Sequence, residues 1–355
     1  MTIARLARPE IRALEPYEAA QQVDDTIRLN ANEAPWSSTA DHFRRPLNRY
    51  PEIRPTALGN SLARYFGCDV GQLLVTRGTS EAIDLLIRTF CREGRDNIVT
   101  TSPTFSMYGH YAAVQGATDR SVVTRQEESF AFDVDEILDS CDDNTRLIFL
   151  CSPNNPTGTV LSRPALIDLL ERRGDRSAVV VDEAYIEFSD EPSAVELLVR
   201  FGNLIVLRTL SKALAFAGAR CGAVMGPAEV VSMLNAIQAP YAMSTPVVEC
   251  VEDALEQSCL DEAQENIAAV RAERERLMDE LREIDLVDKV WPSAANFFLV
   301  RVSDADAVMR QCSDNHVLLR DFGGSLSGCI RITVGSAAEN DRMLECFRKF
   351  DGGTR

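Results

Sequence analysis

The sequence contains very little lysine. Of its 37 basic residues only Lys212, Lys289 and Lys349 are lysines, so arginine supplies nearly every positive charge. A lysine retained in such a chain indicates chemistry that arginine cannot perform, because lysine can lose its proton and form a Schiff base with an aldehyde. Lys289 and Lys349 lie near other charged residues, which makes Lys212 the candidate reactive amine. The alternative is that Lys212 is a surface charge at the start of a helix.

The sequence also lacks the patterns of several protein classes. Its three histidines are widely spaced and its ten cysteines include no Cys-x-x-Cys pair, so we expect neither a metal site nor a serine and histidine triad. No apolar run approaches the roughly 18 residues of a membrane span, and the N-terminus has no apolar signal core. The net charge of −17 disfavours nucleic acids and anionic membranes as partners. These absences favour a cytoplasmic protein whose cysteines are reduced residues of the core.

Short apolar segments alternate with helical patterns from about residue 70 onward. Because these segments are continuously apolar, they predict strands of a mostly parallel sheet that helices cover on both faces. Ligands of such sheets bind beyond the carboxyl ends of the strands. The predicted strands are Leu73–Thr76, Asn97–Thr100, Leu147–Leu150, Ala178–Val181 and Leu204–Leu207.

Polar residues follow several of these predicted strands. Asp182 comes directly after Ala178–Val181, so we expect its carboxylate at the buried end of a strand, where it requires a cationic partner. Gly78, Thr79 and Ser80 precede a predicted helix whose first backbone amides can bind a phosphate; the alternative is an ordinary helix cap. The carboxyl edge of the sheet is therefore the expected functional site.

In combination, the polar clusters resemble a known enzyme family. Pro153–Gly158, Asp182–Tyr185, and Ser211-Lys212 with Arg220 are similar to the motifs of the fold-type-I aminotransferases, which use pyridoxal 5′-phosphate. A narrower resemblance, to the histidinol-phosphate aminotransferase family, extends from about residue 16 to about residue 348. The stretches that carry it include Leu29–Glu33, Arg49–Glu52, Cys151–Gly158, Asp182–Phe188, Arg208–Lys212 and Leu326–Gly335.

The resemblance implies an α/β protein with two lobes. Residues 1–45 are expected to form an N-terminal arm that packs near the active site. Residues 46–240 are expected to form the large cofactor-binding domain, with a mostly parallel sheet sandwiched by helices. Residues 241–355 are expected to form a smaller C-terminal domain, with a long connecting helix and then an α/β part. Apolar runs in this last region predict strands at Phe297–Val300 and Cys329–Val334.

The resemblance also implies a role for each cluster. Lys212 anchors the cofactor and moves the proton at the substrate α-carbon, and Asp182 pairs with the pyridine nitrogen of the cofactor. Asn155 and Tyr185 donate hydrogen bonds to its phenolic oxygen, and Phe105 stacks on its ring. A homodimer with shared active sites follows, because one of the phosphate ligands comes from the neighbouring subunit. The implied phosphate ligands are Gly78, Thr79, Ser80, Thr209, Ser211 and Arg220, with Tyr50 of the neighbouring subunit.

The substrates follow from the same resemblance. Arg331 binds the carboxylate of glutamate and the phosphate of L-histidinol phosphate in turn, Arg320 assists, and Asn32 and Tyr17 contact the substrate. Taken alone, an arginine inside an apolar strand is more typical of a paired structural charge. The implied reaction exchanges an amino group between L-histidinol phosphate and 2-oxoglutarate in histidine biosynthesis. The alternatives are an aromatic amino-acid aminotransferase, a pyridoxal-dependent decarboxylase of a phosphorylated amino acid, and a binding protein without turnover.

Overall fold

The computed structural model describes residues 2–17, 22 and 26–352, with side chains as far as Lys349. Its strands are β1 Leu73–Thr76, β2 Asn97–Ser102, β3 Thr118–Val123, β4 Thr145–Cys151, β5 Ala178–Asp182, β6 Leu204–Thr209, β7 Gly222–Met225, β8 Val287–Val290, β9 Phe297–Val302, β10 Arg320–Asp321 and β11 Cys329–Thr333. Its α-helices are α1 Pro9–Arg12, α2 Thr56–Phe66, α3 Thr79–Phe90, α4 Met107–Gln115, α5 Val134–Asp139, α6 Arg163–Arg173, α7 Ala228–Ile237, α8 Thr245–Ala254, α9 Gln257–Arg282, α10 Ala305–Asp314 and α11 Ala337–Gly352.

Seven strands form the larger sheet, in the order β1-β7-β6-β5-β4-β2-β3. The strands from β2 to β6 are parallel, and β7 runs antiparallel to both β1 and β6. The mostly parallel sheet that the sequence predicts is therefore confirmed. The sequence does not predict β3, an edge strand that is largely exposed and polar, or β7, which is only four residues long.

Helices cover both faces of this sheet. In β4, Leu147 and Phe149 pack into one apolar cluster, whereas Ile148 and Leu150 pack into a second cluster on the opposite face. Side chains alternate between the faces of a strand, so a strand buried on both sides must be apolar at every position. Each of these side chains stabilises the fold by about 1.5–3 kcal/mol through its burial. Burial on both faces of the sheet therefore explains the continuous apolar runs of the sequence.

The smaller sheet contains the four remaining strands, in the order β10-β11-β9-β8, and all of its pairings are antiparallel. Val300, Ile330 and Ile332 pack against apolar residues of α10 and α11, which form the core of this part of the chain. The edge strand β10 is only two residues long. It places Arg320 directly opposite Arg331 of β11.

Helix α9 has 26 residues, and its Leu277 and Leu281 are buried in the core of the smaller sheet. In the part of the chain that the structure describes, no helix combines the length and apolar character of a membrane span. All ten cysteines are free, and most are buried or partly buried. The expectation that they belong to the core is wrong for Cys250 of α8 and Cys259 of α9, which are exposed.

Candidate active site

The carboxyl edge of the larger sheet holds a cavity of about 150 Å³. Asp182 and Thr209 end β5 and β6, and the loops that follow β4, β5 and β6 carry Asn155, Tyr185 and Lys212. Parallel strands bring their carboxyl ends to one edge, so residues far apart in sequence meet here. The sequence-predicted residues that line the cavity are Thr79, Ser80, Phe105, Asn155, Asp182, Tyr185, Thr209, Ser211, Lys212 and Arg220.

Asp182 is the most deeply buried acid of the cavity, with an exposed fraction of 1%. The Tyr108 hydroxyl donates a hydrogen bond to its Oδ2 at 2.8 Å, and the Ala184 backbone amide donates to its Oδ1 at 3.2 Å. Burial raises the pKa of Asp182 to about 6, against the effect of these two hydrogen bonds. No cationic side chain among the described residues pairs with this carboxylate. The cation that the sequence predicts for Asp182 is therefore not supplied by a described side chain, and the carboxylate can pair with a cationic group of a ligand.

Tyr108 is a site residue that no sequence motif identifies. It lies in α4, is fully buried, and stacks on Phe149 with 5.0 Å between ring centroids. Phe105 packs against it edge-on at 5.7 Å. The sequence shows a cluster of aromatic residues here, but only the packing of α4 on the sheet brings the Tyr108 hydroxyl to Asp182. Tyr108 is therefore a positioning residue for the buried carboxylate.

An anion site lies at the start of α3. No side chain caps the first amides of this helix, and Gly78 precedes it with a φ of 77°. A Cβ at Gly78 would lie 2.8 Å from Nη2 of Arg220, so glycine allows the guanidinium to approach the helix start. Nη1 of Arg220 donates to Oγ of Ser211 at 3.3 Å, and Oγ1 of Thr209 donates to the same oxygen at 2.9 Å. A guanidinium, two hydroxyls and free helix amides together are typical of a phosphate site.

Lys212 lies in the loop after β6 and not in a helix, so the helix-start part of the alternative is wrong, although its side chain is exposed in the single chain. Its Nζ lies 5.8 Å from the centroid of the Tyr185 ring. Partial burial lowers the pKa of Lys212, and the charges of Arg331 and Arg220 lower it further. A larger fraction of this amine is therefore unprotonated near neutral pH than for an ordinary lysine, as a nucleophile or base requires.

Arg331 reaches the same region from the smaller sheet. Its Nη1 donates a hydrogen bond to Oδ1 of Asn155 at 2.5 Å, and Nδ2 of Asn155 donates to the Tyr185 hydroxyl at 3.3 Å. Its guanidinium carbon lies 5.4 Å from the ring centroid of Phe297. Within the described residues its buried Nε has no hydrogen-bond partner, and no carboxylate forms an ion pair with it. The interpretation of Arg331 as a paired structural charge is therefore wrong.

Six of the predicted site residues do not line this cavity in the single chain. Gly78 and Arg331 lie beside it, as described above, and the other four lie farther out. Tyr17 and Tyr50 are exposed, and Tyr50 stacks on Tyr241 with 4.7 Å between ring centroids. Asn32 is exposed in the N-terminal arm, with a φ of 56°. Arg320 is exposed as well, although the β10–β11 pairing holds it opposite Arg331.

Residues 17–347 match the family described as aminotransferase class I and II. The histidinol-phosphate aminotransferase of Aeromonas hydrophila is 41% identical to the chain over 354 residues. The matched region covers 98% of each of the two sequences. The chain belongs to the histidinol-phosphate aminotransferases. The family resemblance that the sequence motifs show is thereby confirmed over nearly the whole length of this aminotransferase.

Solved structures show the same fold. The histidinol-phosphate aminotransferase of Sinorhizobium meliloti, in complex with pyridoxal 5′-phosphate, has a TM-score of 0.79 and 23% identity, over 87% of this chain and 84% of that one. L-Threonine-O-3-phosphate decarboxylase from Porphyromonas gingivalis has a TM-score of 0.71 and 22% identity, over 86% of this chain and 91% of that one. An aminotransferase and a decarboxylase share this fold, so the fold by itself does not select the reaction.

Proposed function

We propose that the protein transfers an amino group between L-histidinol phosphate and 2-oxoglutarate, giving imidazole acetol phosphate and L-glutamate, with pyridoxal 5′-phosphate as cofactor. The observation that carries this proposal is that one cavity contains Lys212, the anion site around Arg220, and Asp182, which pairs with no cationic side chain among the described residues. A pyridoxal-dependent transaminase needs an amine, an acid and a phosphate site together. The 41% identity to a relative of that name supports the choice of substrate.

The residues of the cavity fit the proposed cofactor. Asp182 would hold the protonated ring nitrogen, since this buried carboxylate has no cation of its own among the described residues. Asn155 and Tyr185 would donate hydrogen bonds to the phenolic oxygen, and Phe105 would stack on the ring. When bound, the cofactor supplies a carbonyl that takes up the amino group and a conjugated ring that accepts electrons from the substrate α-carbon. The phosphate would be held by Gly78, Thr79, Ser80, Thr209, Ser211 and Arg220.

Lys212 would perform the proton transfer. Burial and the nearby guanidiniums of Arg331 and Arg220 favour its neutral amine. This amine can remove the proton from the substrate α-carbon as a general base and return it as a general acid. Placing one group in both roles requires a pKa near the working pH, and the lowered pKa moves Lys212 in that direction.

Arg331 would bind the anionic group of each substrate in turn. Its guanidinium is held by the neutral oxygen of Asn155 and not by a carboxylate, so its charge is available to a ligand. L-Histidinol phosphate offers a phosphate and glutamate offers a carboxylate, and each charge-assisted hydrogen bond contributes roughly 1.5–3 kcal/mol. Arg320, opposite Arg331 in the ladder, would add a second cation for the phosphate.

Parallel assays with three amino donors test the proposal. The purified protein is supplied with pyridoxal 5′-phosphate and 2-oxoglutarate and receives L-histidinol phosphate, phenylalanine or threonine phosphate. We expect kcat/KM for L-histidinol phosphate to exceed that for phenylalanine by about tenfold or more, because only the phosphate engages the arginine pair. A higher value for phenylalanine would identify an aromatic aminotransferase. Carbon dioxide without glutamate would identify a decarboxylase.

We also propose a homodimer with shared active sites. The N-terminal arm carries apolar side chains that this chain leaves in solvent, including Ile27 at 90%, Leu29 at 89% and Trp36 at 71% exposure. Several large apolar side chains exposed within one short segment are typical of an interaction site. In the proposed dimer Tyr50 reaches the phosphate site of the partner subunit. Tyr17 and Asn32 of the arm would contact the substrate, as the family resemblance implies.

Subunit mixing tests the shared site. A Lys212→Ala protein and a Tyr50→Ala protein are unfolded together in equal amounts and refolded with cofactor. If Tyr50 serves the partner subunit, each mixed dimer contains one intact site, and the mixture recovers about a quarter of the wild-type activity. The two proteins refolded separately are the controls. If Tyr50 serves its own subunit, or if the protein is a monomer, the mixture is no more active than the average of these controls.

The structure supports a small change to the expected domain division. Val248 and Val251 of α8 pack in the core of the larger sheet, so we propose that the smaller domain begins with α9 and not at residue 241. Limited proteolysis that yields a stable fragment beginning before α8 would contradict this division. We further propose a cytoplasmic location, which the ten free cysteines support and cell fractionation tests.

A further inference from the structure

One aromatic ring lies beside both arginines of the proposed substrate site. Phe322 follows β10, and its ring centroid lies 5.8 Å from the guanidinium carbon of Arg320 and 6.0 Å from that of Arg331. Among the cation–π contacts of the described residues, the ring of Phe322 is the only one that contacts both Arg320 and Arg331. No sequence motif indicates a role for Phe322.

The two arginines form an unfavourable pair without such a ring. Arg320 and Arg331 stand directly opposite each other in an antiparallel ladder, where like charges destabilise the pairing. No carboxylate of the described residues forms an ion pair with either of them. The face of an aromatic ring carries partial negative charge and attracts a guanidinium within about 6 Å. Phe322 therefore stabilises two neighbouring cations without neutralising them.

The ring is itself fixed in place. Phe322 is partly buried and packs against a small apolar cluster, so it is not free to follow the arginine side chains. Arg331 has further contacts with Asn155 and Phe297, whereas the side chain of Arg320 has no hydrogen bond, ion pair or other cation–π contact among the described residues. Loss of the ring should therefore affect Arg320 more than Arg331. The residues of the cluster are Phe130, Trp291, Leu299, Leu326 and Cys329.

We propose that Phe322 is a positioning residue that holds the guanidinium of Arg320 beside that of Arg331, so that both meet one dianionic phosphate monoester. This inference rests on the proposed function and identifies what selects the phosphorylated donor. A carboxylate carries a single charge and is held by Arg331, whereas a phosphate dianion uses both cations. Phe322 thus favours L-histidinol phosphate over donors that carry only a carboxylate.

Kinetics of a Phe322→Leu protein test the inference. Leucine retains apolar packing but removes the ring face, so we expect KM for L-histidinol phosphate to rise about fivefold to tenfold. KM for 2-oxoglutarate should stay within about twofold, because Arg331 keeps its other contacts. A Phe322→Tyr protein, which retains a ring, should behave as wild type. Phe322→Met serves as a second ringless variant if the leucine protein does not fold.

A double-mutant cycle separates this role from a structural one. If Phe322 acts through Arg320, the leucine substitution should change KM for L-histidinol phosphate less than about twofold in an Arg320→Gln background. Equal rises of KM for both substrates, or fully additive effects, would overturn the inference. Competitive inhibition by inorganic phosphate should weaken in parallel in Phe322→Leu. That measurement works with any accepted donor, so a failure of the proposed function would be distinguished from a failure of this inference.

Discussion

Replacement of Lys212 by alanine is expected to lower kcat for transamination by roughly 10⁴-fold or more, because in the proposed mechanism one amine serves as both nucleophile and proton carrier. No other lysine of the chain can take its place. The structure puts Lys212 in the cavity with Asp182 and Arg220, where burial and neighbouring positive charge lower its pKa. Steady-state kinetics with L-histidinol phosphate and 2-oxoglutarate, at saturating cofactor, measure the loss.

The two remaining lysines provide matched controls. The Nζ of Lys349 lies 3.6 Å from a carboxylate oxygen of Glu345, and Lys289 lies over the Trp291 ring at 5.0 Å. Neither lines the cavity, so Lys349→Ala and Lys289→Ala should retain wild-type kinetics. Borohydride reduction of the protein with its cofactor should attach the cofactor covalently to the peptide that contains Lys212. Attachment to another lysine, or a Lys212→Ala protein whose kcat is within about tenfold of wild type, would contradict the assignment.

Replacement of Asp182 by asparagine is expected to have two opposite effects. Catalysis should fall by roughly 10²–10³-fold, because a neutral amide cannot hold a proton on the cofactor's ring nitrogen. The cofactor-free protein should become more stable above about pH 6, because a buried carboxylate without a cation is replaced by a neutral group. The hydrogen bond from the Ala184 amide can be retained by the asparagine side-chain oxygen.

The pH dependence of stability has a definite sign. Burial raises the pKa of Asp182 from 3.8 to about 6 in the folded, cofactor-free protein. The stability that protonated Asp182 contributes to the folded state is therefore fully present below about pH 4 and is lost as pH rises through about 6. A shift of about two units corresponds to at most about 3 kcal/mol. Urea unfolding of the cofactor-free proteins at pH 4.5 and 7.5 should show a smaller loss of stability for Asp182→Asn than for wild type.

An exposed aspartate supplies the control for this experiment. Asp288 lies in β8 of the smaller sheet and is exposed. An Asp288→Asn protein should keep the kinetics and the pH-dependent stability of wild type. If Asp182→Asn and wild type lose stability equally between the two pH values, the carboxylate is not the group that titrates. Binding of pyridoxal 5′-phosphate should remove the loss of wild-type stability between the two pH values, since the ring nitrogen of the cofactor would supply the missing cation.

Much of the larger sheet is predictable from the sequence. Its central strands β4, β5 and β6 are continuously apolar because both faces are covered, and this pattern depends only on residues within each strand. The edge strand β3 is not predictable in the same way, since its Thr118-Asp119-Arg120-Ser121 stretch is exposed. Pairing with β2, and not its own composition, makes it a strand.

The active site likewise contains residues whose positions are predictable from the sequence and residues whose positions are not. The positions of Asp182, Thr209 and Lys212 at one edge follow from the rule that parallel strands end together. Tyr108 does not follow from this rule, because its contact with Asp182 depends on how α4 packs. Nor does Phe322, whose two arginine contacts require the pairing of β10 with β11.

The sequence by itself determined the family and the alternation of strands and helices, and it predicted the reactive amine, because these are expressed in local residue patterns and motifs. Only the tertiary structure decided that Asp182 is buried with no cation beside it among the described residues, that Arg331 is held by an amide oxygen, and that Phe322 lies beside two arginines. The physical reason is that burial and electrostatic environment depend on groups contributed by distant segments. Their energies arise only when the fold brings those segments within a few ångströms of one another.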